Sequence, residues 1–212
     1  ENLLKDQILM FNYLKKKKFN ESKLKSISFR HKSEKIDIIP IGFWILKNQK
    51  LLKLVNQKRR KFNHFFISDI SKNINKTKLF FTNILKDKNM CLFLIKSKIN
   101  LVDGIIGIKL EKKIIEIYFV LKLSKSSNMG KSLKNIIFFL EKNHKIKNLI
   151  VKVFSNNLRA KKLYFNQGFK KFKKNYLKKI KINGMHKHTI CKKNHSNVNY
   201  NYETLKLKVW AF

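Results

Sequence analysis

The chain has 212 residues, 43% of them hydrophobic, and a formal net charge of +38. That hydrophobic share excludes a disordered chain, and the length allows one domain with a real core rather than two. With 6 Gly and 1 Pro, regular elements joined by short loops are predicted, without Pro/Gly-rich linkers.

Residues 1–35 read as a basic N-terminal extension. Leu3, Leu4, Ile8, Met10, Phe11 and Leu14 suggest a short helix there. Ile36-Asp37-Ile38-Ile39-Pro40-Ile41 reads as a strand, with Pro40 suited to an edge. Helices are predicted over 47–61, from Leu51, Leu52, Leu54 and Val55, and over 73–85, from Ile74, Leu79, Phe80, Ile84 and Leu85. Strands follow over 90–95, 102–110 and 114–123, with Asp103-Gly104 turning the first hairpin and Glu111-Lys112-Lys113 the second. A Ser/Lys/Asn/Gly loop at 124–130 leads into a helix over 131–143, and a strand is predicted over 148–154. A helix over 157–166 is closed by Gly168 in a left-handed cap. Two strands, over 169–181 and 185–192, complete a domain over 36–192. Residues 193–212 read as a C-terminal tail whose Leu205-Lys-Leu-Lys-Val209 could add a strand. The predicted class is α/β, also describable as α+β, with a mixed, mostly antiparallel sheet flanked by helices.

The charge has two readings. One is a polyanion partner such as nucleic acid or an anionic membrane surface. The other is genomic base bias. Arg30, Arg59, Arg60 and Arg159 are the only arginines, and the abundant residues Lys, Asn, Ile and Phe have the codons richest in A and T. A nucleic-acid binder would favour Arg, whose planar fork pairs bidentately, and the lysines are spread rather than blocked. A nucleic-acid partner is therefore disfavoured, while anionic small ligands are favoured. Cys91 and Cys191 have no metal-binding or CxxC spacing, which predicts reduced thiols in a cytoplasmic protein. No apolar run has the length of a transmembrane segment, and no signal peptide is read.

Two motifs carry a family resemblance. Lys125-Ser-Ser-Asn128-Met129-Gly130-Lys131 resembles the pyrophosphate loop of the GNAT N-acetyltransferases, in which a basic residue or Gln precedes x-x-Gly-x-Gly at a helix start. Here Asn128 replaces a Gly, a substitution that Asn suits if the site needs positive φ. Asn157-Leu-Arg-Ala160-Lys-Lys-Leu163-Tyr164-Phe-Asn-Gln-Gly168-Phe169 is similar to the family's Asn-x-x-Ala-x-x-Leu-Tyr-x-x-x-Gly-Phe signature at every named position. Lys53-Leu-Val-Asn56, the basic-aromatic stretch to Phe66 and Cys91-Leu-Phe-Leu-Ile95 resemble the branch of ribosomal-protein and amino-sugar N-acetyltransferases, nearest those of the pseudaminic acid pathway. Of that branch's Trp-Arg-Asn triplet only Asn56 is present.

The resemblance implies a GNAT fold, acetyl-CoA as cosubstrate and no metal. It implies that Lys125, Asn128, Met129, Gly130 and Lys131 line the pyrophosphate, held by backbone N–H groups and the helix dipole. Asn157, Ala160 and Leu163 would flank the pantetheine arm, and Tyr164 would protonate the leaving thiolate. A backbone N–H near Phe119 or Val120 would stabilise the oxyanion, and Glu116 would take the amine's proton, directly or through water. The implied acceptor is the amine of a small molecule, above all a sugar nucleotide in surface-glycan synthesis. The alternatives are a protein or ribosomal-protein amine, or a non-catalytic basic protein of this fold; a homodimer is compatible with any of these. His64, Arg59, Arg60, Phe65 and Phe66 lie in the acceptor region, where solvated charge and core aromatics compete with a nucleotide-facing role. His186 and His188 share a strand face without further ligands and read as structural.

Overall fold

The computed structural model describes residues 27–208, apart from 32–33, 67–69, 98–100, 112–113, 126–127, 145, 147, 183–184, 192 and 194–197. The helix expected near the start of the chain lies outside the described residues. Strands β1 (Ile27–His31) and β2 (Glu34–Pro40) are followed by a 3-10 turn, Phe43–Lys47. Helices α1 (Gln49–Lys61) and α2 (Ile74–Lys86) are followed by β3 (Met90–Ser97), β4 (Gly104–Glu111) and β5 (Ile114–Lys122). Then come α3 (Met129–His144), β6 (Asn148–Phe154), α4 (Leu158–Phe165), β7 (Lys170–Ile182), β8 (Met185–Cys191) and β9 (Val198–Lys208).

Asparagine starts three of the helices. The side-chain oxygens of Asn48, Asn73 and Asn157 accept from the backbone N–H of Leu51, Asn75 and Ala160 at 3.0, 2.8 and 3.1 Å, satisfying donors that the first helical turn leaves unpaired. Gly168 ends the α4 turn at φ +85°, the left-handed conformation expected of it.

One nine-stranded sheet runs β1-β2-β3-β4-β5-β6-β9-β7-β8. Among the described strands only β5 and β6 are parallel, joined through α3 as a parallel pair requires. The sheet has an apolar layer on each face. Leu133, Ile136 and Leu140 of α3 and Tyr164 of α4 pack on one face against Ile106, Ile117 and Val151. Leu52 and Val55 of α1 and Phe81 and Ile84 of α2 pack on the other, against Leu92, Ile105 and Phe119.

Three expectations are revised. Residues 198–208, read as part of a tail, form β9 and enter the sheet between β6 and β7, paired along both. At the other end β1 extends the sheet beyond the expected start at 36, so β2 is not the edge strand. Among the described residues, β1 pairs with β2 only as far as Ile38, short of Pro40. Asp103-Gly104 is not a hairpin turn: Asp103 is fully buried and Gly104 already belongs to β4.

Gly104 serves close packing instead. A Cβ there would overlap the Met129 sulfur and lie 2.5 Å from the Leu121 carbonyl oxygen. Gly104→Ala should therefore push α3 off the sheet and lower stability by about 1–3 kcal/mol, the usual range for overpacking. Urea unfolding checks this, and an unchanged midpoint would refute it.

Candidate active site

The site begins where β5 and β6 part. They pair over Ile115–Ile117 and Leu149–Val151, so from Tyr118 onward the β6 side of β5 carries no strand among the described residues. At that point β5 also bulges against β4. Gly107 faces Phe119 and Ile108 faces Ile117, which leaves Tyr118 as the extra residue. The bulge resets the alternation of side chains. Ile115 and Ile117 join the α3/α4 layer, whereas both Tyr118 and Phe119 join the α1/α2 layer. A Cβ on Gly107 would lie 2.9 Å from the Phe119 Cβ, so the bulge needs a glycine opposite it. The half-buried Val120 packs against the α3/α4 layer. Phe119 and Val120 thus lie on the open stretch of β5, where backbone groups can meet a ligand.

The loop before α3 is held by Asp103. Its carboxylate accepts from Ser124 Oγ at 3.1 Å, from Asn128 Nδ2 at 3.1 Å and from the Asn128 backbone N–H at 3.4 Å. Its carbonyl accepts from the N–H groups of Leu123 and Ser124. Asn128 does not have positive φ; among the described non-glycine residues only Leu101 does. The departure from Gly at 128 is therefore explained by the amide–carboxylate bond, not by backbone conformation. Met129 points its buried side chain into the core, so only its backbone could meet a cofactor. Lys125 and Lys131 are exposed at this helix start, where the dipole adds positive potential.

The second motif lies against the first. The space beside Gly130 is closed by Leu163, whose Cδ1 would be 3.4 Å from an added Cβ, and by Gln167. Ala160 and Leu163 are half-buried against the same core layer. Asn157 is occupied as the α4 cap through its oxygen, which leaves its NH2 group for a ligand. Tyr164 is buried, stacked edge-on with Phe169 at 5.8 Å. Burial pushes its phenol above the ordinary range. Its hydroxyl makes no hydrogen bond to another described residue.

Glu116 projects to the α1/α2 face of β5 and is 7% exposed. Its Oε2 accepts from Lys152 Nζ at 2.9 Å. Burial alone would lower the Lys152 pKa, but the hydrogen bond and charge of Glu116, with Glu111, raise it overall. The carboxylate is thus buried and ion-paired with Lys152. Any base role would proceed with one oxygen held by an ammonium.

Arg59 departs from the expected solvated charge. It is 7% exposed, with its guanidinium carbon 3.9 Å from the Phe80 ring centroid, 5.6 Å from Phe66 and 5.9 Å from Phe119. Burial pulls its pKa down to about 10, opposed in part by Tyr118. The Tyr118 phenol is pushed up to about 12, first by its own burial. Arg60 and His64 are exposed, and His64 stacks on Phe65 at 4.0 Å. Asn56 is buried and ties α1 to the start of α2, donating to Thr77 Oγ1 at 2.7 Å and to the Ser71 carbonyl at 3.0 Å. His186 and His188 lie half-buried on β8, His188 against Phe154. No cluster of three metal-ligating side chains occurs among the described residues, and no described helix is long and apolar enough to cross a membrane.

No protein-family model matches the chain, and no curated protein does. Solved structures do. The RimL ribosomal L7/L12 alpha-N-protein acetyltransferase superimposes with a TM-score of 0.62 at 12% identity, over 87% of this chain and 95% of that one. The microcin C7 self-immunity acetyltransferase MccE, solved in complex with acetyl-CoA and AMP, gives 0.61 at 17% identity, over 82% and 92%. A probable GNAT-family acetyltransferase from Chromobacterium violaceum gives 0.59 at 10% identity, over 90% and 88%. The chain therefore has the GNAT acetyltransferase fold, in agreement with the two sequence motifs.

Proposed function

We propose that the chain is an acetyl-CoA-dependent N-acetyltransferase acting on the primary amine of an amino-sugar nucleotide in surface-glycan synthesis. One observation carries the enzymatic reading: Gly130 at the α3 start abuts Leu163 of α4, beside the opening between β5 and β6. That contact supports reading the two cofactor motifs, 33 residues apart from Gly130 to Leu163, as parts of one site. Backbone N–H groups at the start of α3 hold the pyrophosphate. The open edge at Phe119 and Val120 receives the acetyl carbonyl, and Tyr164 supplies a proton to the departing sulfur. Glu116 is the candidate base, and juxtaposition of amine and thioester supplies much of the acceleration.

The sugar-nucleotide acceptor is supported by the excess of positive charge and by the nucleotide, AMP, present with acetyl-CoA in the MccE complex. A protein amine is the second reading, favoured by the likeness to RimL. Strongly basic ribosomal proteins would be repelled by this chain, so an acidic or neutral N-terminus is the acceptor that reading requires.

Calorimetric titration with acetyl-CoA tests the cofactor. Gly130→Glu adds a carboxylate at the α3 start, beside the proposed pyrophosphate site, and should weaken binding at least tenfold, about 1.4 kcal/mol or more; a circular dichroism melt of the variant shows whether the fold is kept. A wild type that binds no acetyl-CoA would end the enzymatic reading.

A further inference from the structure

The chemistry above makes no use of Arg59, yet its setting is unusual. The side chain leaves α1 toward the sheet and ends among Phe66, Phe80 and Phe119. No carboxylate pairs with it among the described residues, and its buried Nε has no hydrogen-bond partner. Buried cations are ordinarily paired. Ring faces attract a guanidinium but take none of its in-plane hydrogen bonds. An apolar side chain of equal length would fill the box without the loss of hydration, so packing alone does not account for an arginine here. Phe119, one wall of the box, stands at the point where β5 leaves β6. The guanidinium therefore lies beside the opening where a transferred acetyl group would meet its acceptor. Arg60 and Lys61, in the last turn of α1, line an open surface hollow with Gln57, Asn63, Ile70 and Lys72.

We infer that Arg59 anchors an oxyanion, a phosphate or a carboxylate, carried by the acceptor molecule itself. This rests on the acetyltransferase reading and narrows it: the acceptor is an amine that also bears an acid, and a plain polyamine is excluded. The planar fork takes two oxyanion oxygens at once, and the aromatic walls fix its plane, so the site orients the acceptor as well as attracting it.

The full chain is titrated with UDP and, separately, with N-acetylglycine, in about 0.3 M salt to screen the surface lysines. Wild type, Arg59→Met and Arg59→Lys are compared, and acetyl-CoA is titrated into each. One of the two oxyanions should bind the wild type, at least tenfold more weakly in Arg59→Met and to an intermediate degree in Arg59→Lys, which keeps the charge but not the fork. Which of them binds tells phosphate from carboxylate. Acetyl-CoA affinity should be the same in all three proteins, which also shows that the variants are folded. Failure of both oxyanions to bind the wild type would overturn the inference, as would equal binding in Arg59→Met. If acetyl-CoA binds while neither oxyanion depends on Arg59, only this inference falls. If acetyl-CoA fails to bind the wild type, the function proposed above falls with it.

Discussion

Tyr164→Phe should lower kcat by about 10²–10⁴-fold, the range for losing a positioned acid, with acetyl-CoA affinity unchanged. The substitution removes one oxygen. The ring keeps its place in the core and its edge-on contact with Phe169, so stability near neutral pH should hardly move. What is lost is the hydroxyl proposed to protonate the departing sulfur. Burial holds the phenol protonated beyond its ordinary pKa of 10.0, so it remains a proton donor across the working range. The sign of the linkage follows. A phenol whose pKa is raised by folding contributes its stability below the unfolded value, and loses it as pH rises beyond that value and the unfolded chain ionises. Alkaline unfolding above pH 10.0 should therefore be less steep in Tyr164→Phe than in wild type. Stopped-flow or steady-state acetylation, run beside an alkaline melt, measures both. An unchanged kcat would remove Tyr164 from the chemistry and leave it a core residue.

The elements that sequence reading located best are those with local markers. The strand Asn148–Phe154 is found as expected, and α4 lies between its Asn157 cap and Gly168. Both motifs depend on residues near one another in the chain, which is why their outline was legible. The failures share one cause, partners distant in sequence. In Val198–Lys208 the apolar phase shifts, from Val198, Tyr200 and Tyr202 to Leu205 and Leu207, so no single face can be read along it; its place in the sheet is set by pairing with β6 and β7, whose partner residues are about 20–60 positions away. Arg59 sits next to Arg60 on a polar helix end, and only the arrival of Phe80 and Phe119 from other elements buries it. Asp103 stands before a glycine, a local turn signal, and is overridden by hydrogen bonds to residues 21 and 25 positions later.

Asp103 is also where the largest loss of both stability and cofactor affinity is expected. Asp103→Ala strands Ser124 Oγ and two Asn128 donors in a part-buried site, at about 1–3 kcal/mol for each donor left unsatisfied. Part of that is recovered by water, so a net loss of about 3 kcal/mol in urea unfolding is expected. The loop then loses the shape that presents its N–H groups, and KM for acetyl-CoA should rise at least tenfold while kcat at saturation is little changed, because Asp103 touches no reacting atom. A loss of folded enzyme would instead lower apparent kcat and leave KM unchanged. The partner substitution separates the cases further. Asn128→Gly restores the glycine usual at this position in the family and removes the amide that needs Asp103. In the Asp103→Ala background it should therefore cost less than in wild type, with a coupling of about 0.5–3 kcal/mol in a double-mutant cycle. Additive effects would mean that the carboxylate supports the sheet end alone. Coupled effects would mean that Asp103 and Asn128 together do what a glycine does in the pyrophosphate loops this one resembles.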